Sequence, residues 1–293
     1  MSNGIVILNY CDASEVSGFV KQIVKFKAID VIVVVDNDSE DDSLAVLRQI
    51  KNKKVYILRS DKNRGYSSGN NIGCSFLIEK YNCRNIFIAN PDIRVTESVI
   101  TDMIKFLNCH QDYVLVAPQM VDENGKQKKS YWNLPSVFKD VINSSILFSF
   151  INNKIVERDT KNANNLGLNG YKHVEVISGA FFAIKASFLN ESGLFESRTF
   201  LYNEENILGM SIKNAGYREA IIIDDFYVHF GGTSSKSANI FDKYKYYFES
   251  MLIYHENYKH SNRFSVVILR LFIKIGLLEK YAIYKIRKFK NES

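Results

Sequence analysis

The chain is poor in cysteine and has no long apolar run. Its 293 residues include four cysteines, Cys11, Cys74, Cys83 and Cys109, with no CxxC pair among them. That scatter builds neither a disulfide framework nor a zinc site, and it suits a reducing cytoplasm. No stretch of about 18 uninterrupted apolar residues occurs, so no membrane-spanning helix is expected. The opening run, GIVILNY, lacks the basic start and long apolar core of a signal peptide. No internal repeat or low-complexity tract is present. A content of 46% hydrophobic and 24% charged residues argues against disorder, and the length fits one large or two modest domains. The net charge is +6, but from Lys259 onward nine basic residues face only Glu279 and Glu292. The tail therefore carries the whole excess, and the near-neutral body excludes a uniformly basic nucleic-acid binder.

What is present is alternation. GIVILNY, VIVVVDN, KVYILRS, NIFIANPD and YVLVAPQ read as five strands, with β-branched runs of the kind buried on both faces. Between them, residues 14–27 carry Val16, Phe19, Val20, Ile23 and Val24 at helical spacing. SEDDSLAVLRQI predicts a helix starting at Ser39, SSGNNIGCSFLIEKY a loop leading into a helix, and ESVITDMIKFLNC another helix. Strands and helices at this spacing imply βαβ units and a mostly parallel sheet. Residues 121–172 are less regular, and NSSILFSFI suits helix or strand. A later helix bearing Ile207, Leu208 and Ile212, with Leu201 on the same face, ends near Gly216.

Ligands of open parallel sheets bind beyond the carboxyl ends of the strands. The polar residues there are Asn9, Asp36, Asn37 and Asp38, then Asn90 and Asp92. Each one alone is explained by turn-making; their joint placement at three strand ends favours a ligand site. Asp36 can accept hydrogen bonds from a base or ribose, whereas Glu40, Asp41 and Asp42 are ordinary first-turn acids. The loop DKNRGYSSGNNIG is rich in Gly and Asn but matches neither GxGxxG nor the P-loop. Glu204 and Glu205 stand at a helix start, where dipole compensation is the plain alternative. His229 follows a strand; a carboxylate, a histidine and phosphate oxygens together suit Mg²⁺ or Mn²⁺.

Seven motifs occur in order: VILNY, VVVDNDSEDDS, NRGYSSGNNIG, IANPD, SGAFFAIKASF, FLYNEENILGMSIKNAGY and VHFGGTSS. From about residue 4 to 236 the series resembles family 2 glycosyltransferases of GT-A fold, particularly the bacterial rhamnosyl- and galactofuranosyltransferase-like members. The resemblance implies an α/β, Rossmann-like, mostly parallel sheet flanked by helices, with a C-terminal helical extension. It implies a nucleotide-sugar-binding half over 1–120, an acceptor-binding and catalytic half over 121–236, and basic amphipathic helices over 237–293. It assigns nucleotide binding to Asn9, Asp36, Asn37, Asn63, Arg64, Gly65, Asn70 and Asn90. Asp92, in a variant of the family's Asp-x-Asp, and His229 become ligands of Mn²⁺ or Mg²⁺. Glu205 becomes the catalytic base with Glu204 beside it, and Ser178, Gly179, Ala180 and Tyr202 line the acceptor site. The chain departs from the family pattern at Asn90, where an acid is usual, at Glu205, where aspartate is commoner, and at Ile207, where another acid often stands. The implied activity is inverting transfer from a UDP- or dTDP-sugar to a hydroxyl of a saccharide acceptor. A sugar nucleotidyltransferase would need a Gly-rich basic loop after the first strand, where NYCDASE stands. A binding relative without activity would not need Glu205.

In the tail, about 100° per residue puts Arg263, Arg270, Lys274, Lys285 and Lys288 on one helical face. Phe264, Ile268, Leu271, Ile275, Ile286 and Phe289 fall on the other, and Gly276 predicts a break between two helices. Such a segment fits an anionic membrane surface or packing on the domain or on a second copy in a homodimer. Membrane contact implies a lipid-linked acceptor in capsule or O-antigen assembly, with the protein peripheral on the inner face of the plasma membrane.

Overall fold

The computed structural model describes residues 2–145, 170–231 and 240–292, with backbone alone for 240 and 286–292. The chain divides into two compact units, Met1–Asn133 with Gly167–Ser237, and Leu134–Leu166 with Ala238–Ser293.

The first unit is built on one sheet. Strands β1 (Asn3–Asn9), β2 (Val31–Asp36), β3 (Val55–Arg59), β4 (Asn85–Ala89), β5 (Ile93–Arg94), β6 (Tyr113–Val121), β8 (Tyr171–Val174), β10 (Phe181–Lys185) and β11 (Arg218–His229) belong to it. Their order is β3-β2-β1-β4-β10-β6-β11-β5, and β8 also pairs with β11. β7 (Tyr131–Trp132) and β9 (Val176–Ile177) form a separate two-stranded ribbon. β1 pairs in parallel with β2 and β4, β2 with β3, and β11 with β6. β10 runs the other way between β4 and β6. Every residue of β2 is buried, as a β-branched run covered on both faces requires.

Side chains alternate between two cores. On one face Ile5, Ile7 and Phe87 meet helices α1 (Ala13–Ile23) and α4 (Glu97–Cys109). On the other, Val6, Ile86 and Ile88 meet α3 (Tyr66–Tyr81), α6 (Ala186–Ser192) and α7 (Glu204–Asn214). Two local expectations change. The helix expected from Ser39 is the short α2 (Ser43–Leu47), preceded by Asp42. The Ser39 hydroxyl instead donates to Asp36 Oδ1 at 2.6 Å, so a local carboxylate takes the group that would have capped a helix. The expected loop over Ser67–Gly73 is already helix, because α3 begins at Tyr66.

The second unit is helical: α5 (Val137–Ser144), α8 (Ile240–Ile253), a π-helical turn (Tyr254–Tyr258) and α9 (Arg263–Glu292). Val141, Phe248, Met251, Leu269 and Ile273 form its core. His255 Nε2 lies 2.8 Å from Asp140 Oδ2, both side chains buried. α9 is continuous, so Gly276 does not break it. A Cβ at Gly276 would stand 1.8 Å from the Ser144 carbonyl oxygen, so this glycine serves the close approach of α9 to the end of α5. The side that α9 buries is not the apolar face read from the sequence, which stays exposed. Val266, Leu269 and Ile273 are the residues buried, while Phe264, Leu271 and Ile275 face outward and Ile268 is partly covered. NSSILFSFI beyond Ser145, and the side chains of Ile286, Lys288 and Phe289, lie outside the described residues.

Candidate active site at the sheet edge

The carboxyl ends of β1 and β2 meet in a closed network. Asn9 Nδ2 donates to Asp36 Oδ1 at 2.8 Å and to Ser39 Oγ at 3.1 Å. Ser39 Oγ also accepts from the Cys11 N–H. Asn9 and Asp36 are fully buried. The chain's own donors therefore occupy Asp36 beneath the edge, and the more open acid beside it is Asp38, paired with Arg59 at 3.0 Å. Asn37 Nδ2 donates to Asn63 Oδ1 at 2.9 Å, and the same Asn63 oxygen accepts from the Gly65 N–H. Gly65 has φ +92, and a Cβ there would lie 2.0 Å from the Phe200 carbonyl oxygen, so no other residue fits. Arg64 is exposed and paired with Asp61. Asn70 is buried inside α3 and donates to the Tyr66 carbonyl.

One strand further along, Asn90-Pro91-Asp92 ends β4. The Asn90 N–H donates to the Ala180 carbonyl at 2.8 Å. After Asp92 the chain immediately forms β5, whose Ile93 and Arg94 pair with His229 and Val228 at the end of β11. That two-residue pairing places His229 Nε2 3.2 Å from Asp92 Oδ2. Asp92 Oδ1 is buried with no hydrogen-bond partner. An orphaned carboxylate oxygen beside an imidazole is a donor pair suited to Mn²⁺ or Mg²⁺. Among the described residues no group of three or more Asp, Glu, His or Cys side chains could hold a metal. A cation at this pair would take its remaining oxygens from a ligand, as is usual for ions bound with diphosphates.

The third part is the N-terminus of α7. Gly179 N–H donates to Glu205 Oε1 at 3.1 Å, and the Tyr66 hydroxyl donates to the Gly179 carbonyl at 2.7 Å. The Ser178 N–H reaches the Ser130 carbonyl. Because β10 begins at Phe181, antiparallel to its neighbours, Ser178, Gly179 and Ala180 lie at the same edge as Asn90. Glu204 Oε1 is buried without a partner. Burial, and then the adjacent Glu205, pushes the Glu204 carboxyl up to about 8. Burial also raises Glu205, opposed by the backbone N–H groups that favour its charged form. Tyr202 and Asn203, with φ +72 and +62, are both left-handed immediately before this pair. Two consecutive non-glycine residues in that region store strain of the kind found at functional sites.

The expected residues thus fall into three groups along one edge. Asn9, Asp36, Asn37, Asn63 and Gly65 form the first, Asn90, Asp92 and His229 the second, and Ser178, Gly179, Ala180, Tyr202, Glu204 and Glu205 the third. Sequence reasoning missed Ser39, Tyr66, Trp132 and Asn206. Trp132 Nε1 donates to Asn206 Oδ1 at 2.7 Å, and Asn206 Nδ2 donates to Asn203 Oδ1 at 2.7 Å. The one available signal was that Trp132 is the only tryptophan in the chain.

An open α/β sheet with one reversed inner strand, a carboxylate–histidine pair and a carboxylate at a helix start defines a GT-A type fold. The comparisons bear out that expectation, and the chain belongs to glycosyl transferase family 2, whose description matches residues 5–193. The low-salt glycan biosynthesis hexosyltransferase Agl10 of Haloferax volcanii is 27% identical over 124 residues, 41% of this chain and 37% of that protein. The structure of GalNAc-T7 with UDP, GalNAc and Mn²⁺ superposes with a TM-score of 0.61 at 14% identity, over 88% of this chain and 49% of that one. The mannosyltransferase PcManGT of Pyrobaculum calidifontis, with GDP-Man and Mn²⁺, gives 0.58 at 12% identity, over 96% and 75%. S. aureus TarS with UDP-GlcNAc gives 0.54 at 14%, over 93% and 72%. The match thus spans little more than a third of the curated relative and about half of the GalNAc-T7 chain. At these identities the structures carry the fold alone.

Proposed function

We propose that the chain is an inverting glycosyltransferase that moves a sugar from a nucleoside diphosphate, UDP or dTDP, to a hydroxyl of a saccharide acceptor. The observation that carries this reading is Glu205, held by the Gly179 N–H on the edge that also bears Asp92 and His229. The acceptor hydroxyl passes its proton to Glu205 as its oxygen bonds to the anomeric carbon. The bond from that carbon to the diphosphate oxygen breaks on the opposite face, and its electron pair leaves with the diphosphate, so the configuration inverts. Positive charge builds on the sugar ring during the exchange. Glu204, whose carboxyl is pushed up to about 8, holds a proton at neutral pH, and the two adjacent carboxyls titrate as a pair. A divalent cation, Mn²⁺ or Mg²⁺, held by Asp92 and His229 would neutralise charge on the departing diphosphate. Asn9, Asp36 and Asn37 shape the rim on which base and ribose rest. Ser178, Gly179, Ala180 and Tyr202 face the acceptor.

The ligands bound by the similar structures support the donor class: UDP with Mn²⁺, GDP-Man with Mn²⁺, and UDP-GlcNAc accompany them. The basic tail supports a lipid-linked acceptor met at the inner face of the plasma membrane, in capsule or O-antigen synthesis. The test is a thermal-shift screen of UDP- and dTDP-sugars with and without Mn²⁺, on the wild type and on Asp92→Ala. A bound donor at about a hundredfold over Kd adds about 2.7 kcal/mol of apparent stability. The reading expects one donor to stabilise the wild type in a metal-dependent way that Asp92→Ala loses. Stabilisation equal in both proteins removes the metal site, and no shift with any donor removes the transferase reading.

A further inference from the structure

Helix α9 is apolar on two opposite sides, and only one of them is used. Leu269 and Ile273 pack into the core of the helical unit, and Val266 on the same side is also buried. At about 100° per residue, Phe264, Val267, Leu271, Ile275 and Leu278 form a second stripe almost diametrically opposite. They are 76%, 54%, 54%, 41% and 69% exposed. Eight of the thirteen exposed large hydrophobic residues among the described ones lie on this helix. Patches of this kind on an otherwise ordinary surface mark an interaction site.

The charges beside the stripe say what covers it. Arg263, Arg270, Lys274 and Lys285 run along one flank of it, all exposed. Arg270 is bound to Glu256 at 3.1 Å, which leaves Arg263, Lys274 and Lys285 to set the sign of that flank. On the other flank Glu279 is tied to the Ser145 hydroxyl at 2.7 Å, and Phe272 packs inward. Tyr281 lies within the basic row, with the Lys285 ammonium 5.5 Å from its ring centre. A seam between two copies would set charges of opposite sign along its edges, and here one row is uniformly positive. Exposed aliphatic side chains edged by cations and by tyrosine match the boundary between anionic headgroups and acyl chains. No helix among the described residues is long and apolar enough to cross a membrane, so the helix would lie along the surface.

We propose that the Phe264–Leu278 stripe of α9, with Arg263, Lys274 and Lys285, is a docking surface for an anionic lipid bilayer. This is the face the sequence pattern suggested, with Phe264, Leu271 and Ile275 on it, narrowed where Ile268 turns partly into the core and widened by Val267 and Leu278. The surface stands independently of the transferase reading, since lipid binding and donor binding are measured separately.

Flotation of the full chain with vesicles tests it. Vesicles of equal parts phosphatidylcholine and phosphatidylglycerol are compared with pure phosphatidylcholine. The wild type floats with the anionic vesicles and far less with the neutral ones, and added salt weakens it. Leu271→Glu with Leu278→Glu abolishes flotation while leaving the melting temperature and donor-induced stabilisation in place. Exchanging Arg263, Lys274 and Lys285 for Gln weakens anionic-vesicle binding on the order of a hundredfold and lessens the salt dependence. Wild type that stays unbound overturns the proposal, as does flotation that survives the Leu271 and Leu278 changes. A wild-type dimer by light scattering that ignores vesicles, and that Leu271→Glu splits, assigns the stripe to self-association instead.

Discussion

Trp132 of β7 donates its indole N–H to Asn206 Oδ1, 2.7 Å away, inside the first turn of the helix that bears Glu204 and Glu205. Asn206 passes the connection to Asn203, one of the two left-handed residues before the pair. Trp132→Phe keeps a ring but orphans a buried acceptor, a loss of about 1–3 kcal/mol. Urea denaturation should show that loss, and turnover should fall further than donor affinity, because the misplaced element carries the proposed base.

Glu205→Gln is nearly isosteric and cannot take a proton. Turnover should drop by about 10²- to 10⁴-fold, while donor-induced thermal stabilisation remains. Retained turnover with bound donor would move the base to Glu204.

Glu204 predicts a pH dependence of stability. Its carboxyl titrates near 4.5 when unfolded and near 8 in the fold. Below the lower value both states hold the proton and the group contributes nothing. Between the two values the folded state holds more protons, so stability falls as pH rises. Glu204→Gln should flatten the fall in urea midpoint between about pH 5 and about pH 8. An unchanged slope would show that another group, such as the fully buried Glu219, carries it.

Gly179→Ala probes the contact that holds Glu205. The added Cβ would stand 3.1 Å from Glu205 Oε1 and 3.5 Å from the Tyr66 hydroxyl. A flexible carboxylate can yield by a few tenths of an ångström, so the fold should persist with a stability change within about 1 kcal/mol. Turnover should fall, since the proposed base, Glu205, no longer sits where the backbone N–H put it.

Asp140→Ala tests the helical unit. It leaves His255, which is wholly buried, without its 2.8 Å partner. Removing one member of a buried pair costs on the order of 3–5 kcal/mol. Calorimetry should show the helical unit melting earlier, with donor stabilisation of the sheet unit retained.

The strands of the first 120 residues were legible because fully buried β-branched runs have few other uses, and the helix ending at Gly216 was legible from its glycine, observed at φ +80. The joint placement of the strand-end residues was legible because parallel strands deliver their ends to one edge. The Asp92–His229 pairing was not: it depends on β5, a two-residue strand with no pattern of its own, and came only from the resemblance. Ser39 misled because a serine followed by acids reads the same whether its hydroxyl caps a helix or bonds to Asp36. Gly276 misled because glycine in a helix marks either a break or a close approach, and the neighbour that decides, Ser144, is remote in sequence. Trp132 and Asn206 gave no pattern because a single hydrogen bond between distant segments has no period.

The reversed strand β10 has one more consequence. Parallel strands bring to this edge only the residues that follow them, so a purely parallel sheet would furnish it from exits alone. β10 arrives from this edge, so the residues preceding it become part of the rim as well. Pinned by β4 on one side and β6 on the other, it cannot slide without breaking two ladders at once. The proposed donor rim and the proposed acceptor rim are thus written in separate segments of the chain yet share one fixed ruler. On the proposed reading, new acceptor preferences can arise by rewriting Ser178–Ala180 and the Tyr202 turn, with the strand ends assigned to the nucleotide left as they are.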